Sequence, residues 1–242
     1  MAVSCKCKIL ENAAAEGGFW LIRLAFPAYC APGQFVMLRV TEGLDPLLGR
    51  PISVYDYEDG VLSLLYQPVG RGTKQLTALV PGQEAEVQGP LGNGFPLEGG
   101  DTVLIGGGVG IAPLYYLSKA LKKADPSRKV AMHLGFREQA AMADTFRAVC
   151  DELVLNIGGY VTDDVDFDPN GKTYYACGPT PMMAAGAKKA EATGAKFYVS
   201  LEKRMACGVG ACLGCTVKTT QGNRRVCKDG PVFLSSEVLF HG

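Results

Sequence analysis

Short apolar stretches broken by turn residues fill the first hundred positions. Phe35–Val40 and Val61–Tyr66 read as strands, and Ala31-Pro32-Gly33, Glu58-Asp59-Gly60 and Val80-Pro81-Gly82 supply turns. This punctuation predicts a small antiparallel barrel or sandwich. The pattern then changes. A strand at 102–105 runs into Gly106-Gly107-Gly108-Val109-Gly110, and Pro113 opens a helix on which Leu114, Leu117, Ala120 and Leu121 recur at helical spacing. Strands are expected at 130–134, 153–157, 173–177 and Lys196–Ser200, and helices at 140–150 and 181–193. Alternation of this kind implies a parallel sheet with helices on its faces. The last forty or so residues are rich in Cys and Gly, show no long periodicity, and are too few for a core of their own. The chain therefore divides into a β-barrel domain at 1–97, an α/β domain at 98–200 and a small segment at 201–242.

Of the 242 residues, 48% are hydrophobic and 20% charged, which permits a buried core and argues against disorder. Lys and Arg number 24, as do Asp and Glu, so no net charge favours nucleic acid or an anionic membrane surface. No apolar run reaches the roughly 18 residues of a membrane helix. The first ten residues include Lys6 and Lys8 and lack the apolar region of a signal peptide. A cytoplasmic protein is expected.

Nine cysteines in such a compartment call for something other than disulfides. Cys5, Cys7, Cys30, Cys150 and Cys177 are scattered, but Cys207, Cys212, Cys215 and Cys227 crowd into the last 36 residues. Their spacing, C-x4-C-x2-C followed by a distant Cys, is the plant-type pattern for a [2Fe–2S] cluster. Thiolates are soft ligands suited to iron–sulfur chemistry. Gly208, Gly210 and Gly214 permit the tight loop that must wrap the group. A metal centre would also supply the stability that the segment lacks. Structural zinc is the competing reading, although zinc sites usually show two short Cys pairs. Buried, unreactive cysteines are the blandest one.

Three other features carry possible chemistry. Gly107, Gly108 and Gly110 lie between a strand and a helix, where free N–H groups receive phosphate; a plain tight turn is the alternative. Cys177-Gly178-Pro179 ends a later strand, so it is expected to face the same crevice, unless Cys177 is only a buried residue before a turn. In the barrel, Arg50-Pro51-Ile52-Ser53 begins a strand, and Gly70-Arg71-Gly72-Thr73 opens a short helix expected at 74–79. An Arg beside a helix N-terminus suits a diphosphate, and Ser53 a ring edge; taken alone, an exposed Arg and an ordinary capping Thr explain them better. His133 and His241 are the only histidines and join no catalytic constellation.

Together these motifs, in this order, resemble the ferredoxin reductase-like flavoproteins: a flavin motif at Arg50-Pro51-Ile52-Ser53, a diphosphate motif at Gly70-Arg71-Gly72-Thr73, a nicotinamide-nucleotide loop at 106–113 and the Cys177-Gly178-Pro179 turn. Leu91-Gly92-Asn93-Gly94-Phe95 is similar to the family's domain-junction loop. With Arg-Pro-Ile-Ser and four terminal cysteines, nearly the whole chain looks most like the branch formed by dihydroorotate dehydrogenase B electron-transfer subunits. The resemblance implies FAD on residues 50–53, a strand containing Gln67, Pro68 and Val69, and Gly72 with Thr73. It implies NAD on the glycine loop and the Cys177 turn. A tyrosine common in the wider family is Ile52 here, which leaves apolar or main-chain contacts to the flavin. The aromatic residue that ends plant-type relatives has no counterpart.

Flavin converts hydride pairs to single electrons, which fits it between a nicotinamide and an iron–sulfur cluster. No second redox pocket is visible, so a partner is expected. In the resembled branch this partner is an FMN-containing subunit that oxidises dihydroorotate to orotate in pyrimidine biosynthesis, two copies of each subunit forming a heterotetramer, with NAD⁺ as final acceptor. A sulfide dehydrogenase, transhydrogenase or hydrogenase subunit is the alternative; some of these replace one cluster Cys with Asp, and here all four are Cys. Arg137 and Glu138 stand together where a 2′-phosphate would lie, so position leaves NAD and NADP open, and the resemblance points to NAD.

Overall fold

The computed structural model describes residues 2–40 and 46–240. His241 lies outside them. Six strands form a closed barrel: β1 (Val3–Ala14), β2 (Trp20–Ala25), β3 (Phe35–Val40), β4 (Arg50–Glu58), β5 (Val61–Tyr66) and, after helix α1 (Arg71–Leu76), β6 (Glu84–Leu91). Their order round the barrel is β1-β2-β5-β4-β3-β6, every pairing antiparallel. Alternation places Ala85, Val87 and Gly89 of β6 inward, and Leu91, past Pro90, packs instead with the sheet core. Ile9, Ile22, Leu24, Val36, Leu38, Val54, Leu62 and Leu64 complete an interior closed to solvent. A Cβ on Gly89 would lie 2.5 Å from Val36 Cγ1, so only glycine lets the strands close there.

The second layer contains β7 (Asp101–Gly107), α2 (Ala112–Ala124), β8 (Val130–Phe136), α3 (Ala143–Arg147), β9 (Glu152–Ile157), β10 (Lys172–Cys177), α4 (Thr180–Thr193) and β11 (Lys196–Ser200). The C-terminal segment adds the hairpin β12 (Thr216–Thr219) and β13 (Gly222–Arg225), the single turn α5 (Val226–Asp229) and β14 (Val232–Leu234). The sheet order is β14-β11-β10-β7-β8-β9. The five strands from β7 to β11 are mutually parallel, and β14 joins the edge antiparallel to β11. Successive connections turn in opposite directions at β7 and β10, and a crevice for ligands opens at such a switch point.

α2 joins the two layers. Its Leu114, Leu117 and Leu121 face the sheet core. On its other side Tyr115 stacks on Tyr55 at 4.5 Å, Tyr116 donates to Cys30 O at 3.0 Å, and Lys119 Nζ meets Asp56 Oδ2 at 2.6 Å. The link after the barrel is pinned by the buried Tyr175, whose hydroxyl donates to Pro96 O at 2.7 Å and accepts from Glu98 N–H at 3.2 Å.

Local chemistry adjusts three expected boundaries. The helix expected at 74–79 starts earlier, at Arg71, because Thr73 Oγ1 bonds the N–H and the carbonyl of Gly70 and fixes the first turn there. The helix expected at 140–150 shrinks to Ala143–Arg147. Met142 takes φ 57° before it, held by its N–H to Glu16 of the barrel. Gln67, Pro68 and Val69 follow β5 as a loop, Val69 N–H bonding back to Gln67 O.

Tyr175→Phe should cost about 1 kcal/mol in urea unfolding, since it strips the half-buried Pro96 carbonyl and Glu98 N–H of their shared partner.

Candidate functional site

A cleft of about 690 Å³ opens between the barrel and the chain that leaves β11. Arg50, Pro51, Ser53, Gln67, Val69 and Thr73 border it, whereas Pro68 does not. Ile52 also borders it, but its side chain is buried in the barrel core beside Val54, so its main chain faces the cleft. Arg50 lies across Gly72, where a Cβ would come 2.2 Å from Arg50 Nε. Glycine is therefore what brings the guanidinium onto the start of α1, and Nη1 is steadied by Leu48 O at 2.9 Å. A cation against helix N–H groups suits a diphosphate. The opposite wall, Ser200, Leu201, Glu202, Lys203, Arg204 and Met205, escaped the sequence reading. Its signal was position: it leaves the carboxyl end of a strand and runs into Cys207. Glu202 stands on this wall with its side chain exposed.

The glycine loop and the Cys177 turn meet directly. Cys177 is level with Gly106 across β10 and β7. A Cβ on Gly110 would lie 2.3 Å from Cys177 O and 2.5 Å from Gly178 N; one on Gly107 would lie 3.0 Å from Pro179 Cδ. Gly108 has φ 55° and is exposed. The loop and the Cys177 turn thus form one floor at the switch point. Cys177 is buried, which raises its thiol pKa, so it serves as packing rather than as a nucleophile. Arg137 and Glu138 are exposed just beyond β8, at the same end of the sheet. His133 lies within β8, its Nδ1 buried without a partner among the described residues, and does not border the cleft.

The four C-terminal thiols form two pairs. Cys212 N–H donates to Cys207 Sγ at 3.4 Å, and Cys227 N–H to Cys215 Sγ at 3.4 Å. Cys212 is exposed and Cys207 half-buried, while Cys215 and Cys227 are buried. Backbone N–H groups, Cys212's foremost and then those of Val209 and Ala211, draw the Cys207 thiol down to about 6. Burial first, then neighbouring Cys215, pushes Cys227 up to about 12. Gly208 and Gly210 take φ 70° and 83° to turn the loop inward. A Cβ on Gly208 would strike Leu91 and Met37 of the barrel at 2.9 Å. Arg225 fastens the loop to the fourth cysteine: it donates to Gly210 O at 3.4 Å and to Asp229, whose carboxyl it holds down to about 2. Among the described residues no three His, Cys, Asp or Glu converge as a single-ion site. Zinc would gather all four sulfurs on one ion; two pairs beside donating amides match a group with two irons.

Comparison with known proteins agrees with this chemistry. Residues 202–239 match the family described as the iron–sulfur cluster binding domain of dihydroorotate dehydrogenase B. The chain is 41% identical to "Dihydroorotate dehydrogenase B (NAD(+)), electron transfer subunit" of Clostridium acetobutylicum, over 97% of this chain and 96% of that one. It is 37% identical to the protein of that name from Clostridium perfringens, over 97% and 98%. Among solved structures, that of an NADH-dependent reduced ferredoxin-NADP oxidoreductase, described for flavin-based electron bifurcation, superposes with TM-score 0.84 at 31% identity over 97% and 90%. A ferredoxin reductase of carbazole 1,9a-dioxygenase shares the fold, with TM-score 0.68 at 20% identity over 80% and 67%.

Gly110→Ala should cost about 1–3 kcal/mol in urea unfolding, because its Cβ meets main chain that cannot step aside. Gly99→Ala, with nothing within 4 Å, should stay within about 0.5 kcal/mol.

Proposed function

The chain belongs to the family of dihydroorotate dehydrogenase B electron-transfer subunits, and we propose that it passes electrons between an FMN-bearing, dihydroorotate-oxidising partner subunit and NAD. One observation supports this most. The cleft wall at 200–205 continues into Cys207, and Gly208 packs on Met37 and Leu91 of the barrel. The cleft and the thiols therefore share a wall, and shared walls are what an electron path needs.

In this reading residues 50–53, 67–69, 72 and 73 hold FAD, Arg50 and the start of α1 taking its diphosphate. Gly107, Gly108, Gly110, Cys177, Gly178 and Pro179 hold NAD at the switch point, where the bare glycine backbone lets a nucleotide approach. Cys207, Cys212, Cys215 and Cys227 hold the [2Fe–2S] cluster, 207 with 212 and 215 with 227. When bound, the flavin exchanges a hydride with nicotinamide and single electrons with the cluster. The chain's residues bind and orient these groups; none is called on as acid, base or nucleophile. The working units are the barrel at 1–97, the α/β layer at 98–200 and the cluster segment at 201–242. No helix among the described residues is long and apolar enough to cross a membrane. Nine unbridged thiols suit the reducing cytoplasm, and the assembly is a heterotetramer of two electron-transfer and two catalytic subunits. NAD rather than NADP follows from the relatives' name. The 31% identity to the bifurcating oxidoreductase favours a second reading, a subunit of another flavin and iron–sulfur complex. Co-expression with a dihydroorotate-oxidising subunit separates the two, since only the first predicts a stable complex that makes orotate with NAD⁺.

The purified chain should be brown-yellow from flavin and cluster. Cys212→Ser should lose iron and acid-labile sulfide, keep most NADH-to-dye activity, and lose at least about a hundredfold of dihydroorotate-dependent NAD⁺ reduction, a loss of the size expected when a redox link is removed. If both activities survive without the cluster, the relay reading is wrong.

A further inference from the structure

The segment around the four cysteines is electrostatically lopsided. From Lys203 to Lys228 it holds six Lys and Arg residues and no Asp or Glu, in a chain whose totals balance. Among the described residues Arg225 is the only one of the six that meets a carboxylate. Asp229 grips it at three points: Nε to Oδ2 at 2.9 Å, Nη2 to Oδ1 at 3.0 Å, and its own backbone N–H to Oδ2 at 2.7 Å. The remaining nitrogen, Nη1, reaches Gly210 O, midway between Cys207 and Cys212. Arg225 is paired with Thr216, next to Cys215, and stands two residues before Cys227. One arginine thus ties together all three pieces of chain that carry the thiols, its guanidinium reaching the Gly210 and Asp229 pieces and its main chain pairing with Thr216, in an orientation fixed by a fork-to-fork carboxylate.

We propose that Arg225 and Asp229 form an opposed charge pair that sets the reduction potential of the iron–sulfur group, Arg225 raising it and Asp229 lowering it. This rests on the reading that the four cysteines hold a [2Fe–2S] cluster. Two ferric ions, two sulfides and four thiolates leave a net negative charge, and one added electron increases it. A nearby cation favours the reduced form and a nearby anion the oxidised one. The side chains are 32% and 16% exposed, so solvent weakens each effect without abolishing it. The pair is also a mechanical tie between α5 and the cysteine loop. As a tie alone it would respond the same way to loss of either partner. As a charge pair it responds with opposite signs.

The test is an electron-paramagnetic-resonance redox titration of the intact protein, with the flavin midpoint as internal reference and iron and acid-labile sulfide counted per chain. Arg225→Gln should lower the cluster midpoint and Asp229→Asn should raise it. Each shift should be about threefold to tenfold in the one-electron equilibrium constant, tenfold being about 59 mV. Arg225→Lys, which keeps the charge, and the double variant, which removes both charges, should stay near the parent. Shifts of the same sign, or none in variants with full cluster content, overturn the proposal. If Arg225→Gln does not retain the cluster, Asp229→Asn and Arg225→Lys decide it: a raised and an unchanged midpoint uphold the charge pair, and any other result overturns it. A parent chain without iron would instead overturn the ligand assignment, and this inference with it.

Discussion

Two backbone hydrogen bonds beside Pro231 hold the molecule's working parts together. Leu201 N–H donates to Pro231 O, and Asn93 N–H donates to Gly230 O. The first joins the final segment to the cleft wall; the second joins it to the barrel. From that grip β14 runs onto the edge of the sheet, with Phe233 level with Val199. Without it the cysteine loop would be held to the rest by covalent chain and side-chain packing alone, and its distance from the cleft would vary. Electron transfer depends on fixed separation, so an amide ladder at this junction is a fitting place for rigidity. Asn93 adds its side chain, donating to Asp229 O at 3.1 Å.

The same economy governs the cleft and the floor formed by the glycine loop and the Cys177 turn. In each, a missing side chain brings two charged or polar surfaces together: Gly72 under Arg50, Gly110 under the Cys177 carbonyl. Alanine in either position would separate parts that must cooperate. The thiols use a different device. Backbone N–H groups favour the thiolate of Cys207, while burial favours the thiol of Cys227.

Much of this was visible in the residues. β3 and β5 occupy the apolar stretches that the turn residues bracketed, and Val36, Leu38, Leu62 and Leu64 of these strands fill the barrel interior. The glycine loop and the Cys177 turn were expected to face one crevice, and the backbone puts them in contact. Other features depended on tertiary partners that no local pattern encodes. Helix α3 is short because Glu16, more than a hundred residues earlier, fixes the residue before it. The cleft wall at 200–205 has no periodicity, and its role comes from the strand that ends before it. Arg225 stands in no sequence motif, and its partners Asp229 and Gly210 come to it only through the fold.

The final segment buries Cys215, Val226 and Cys227 in one continuous core with Ile105, Tyr174 and Val199 of the sheet and Phe35, Met37 and Leu91 of the barrel. It has no interior of its own. A stretch built this way cannot be lifted out and grafted onto another scaffold as zinc fingers are; it would leave half its packing behind. Recombination that moves this segment between proteins must therefore carry the host surface with it.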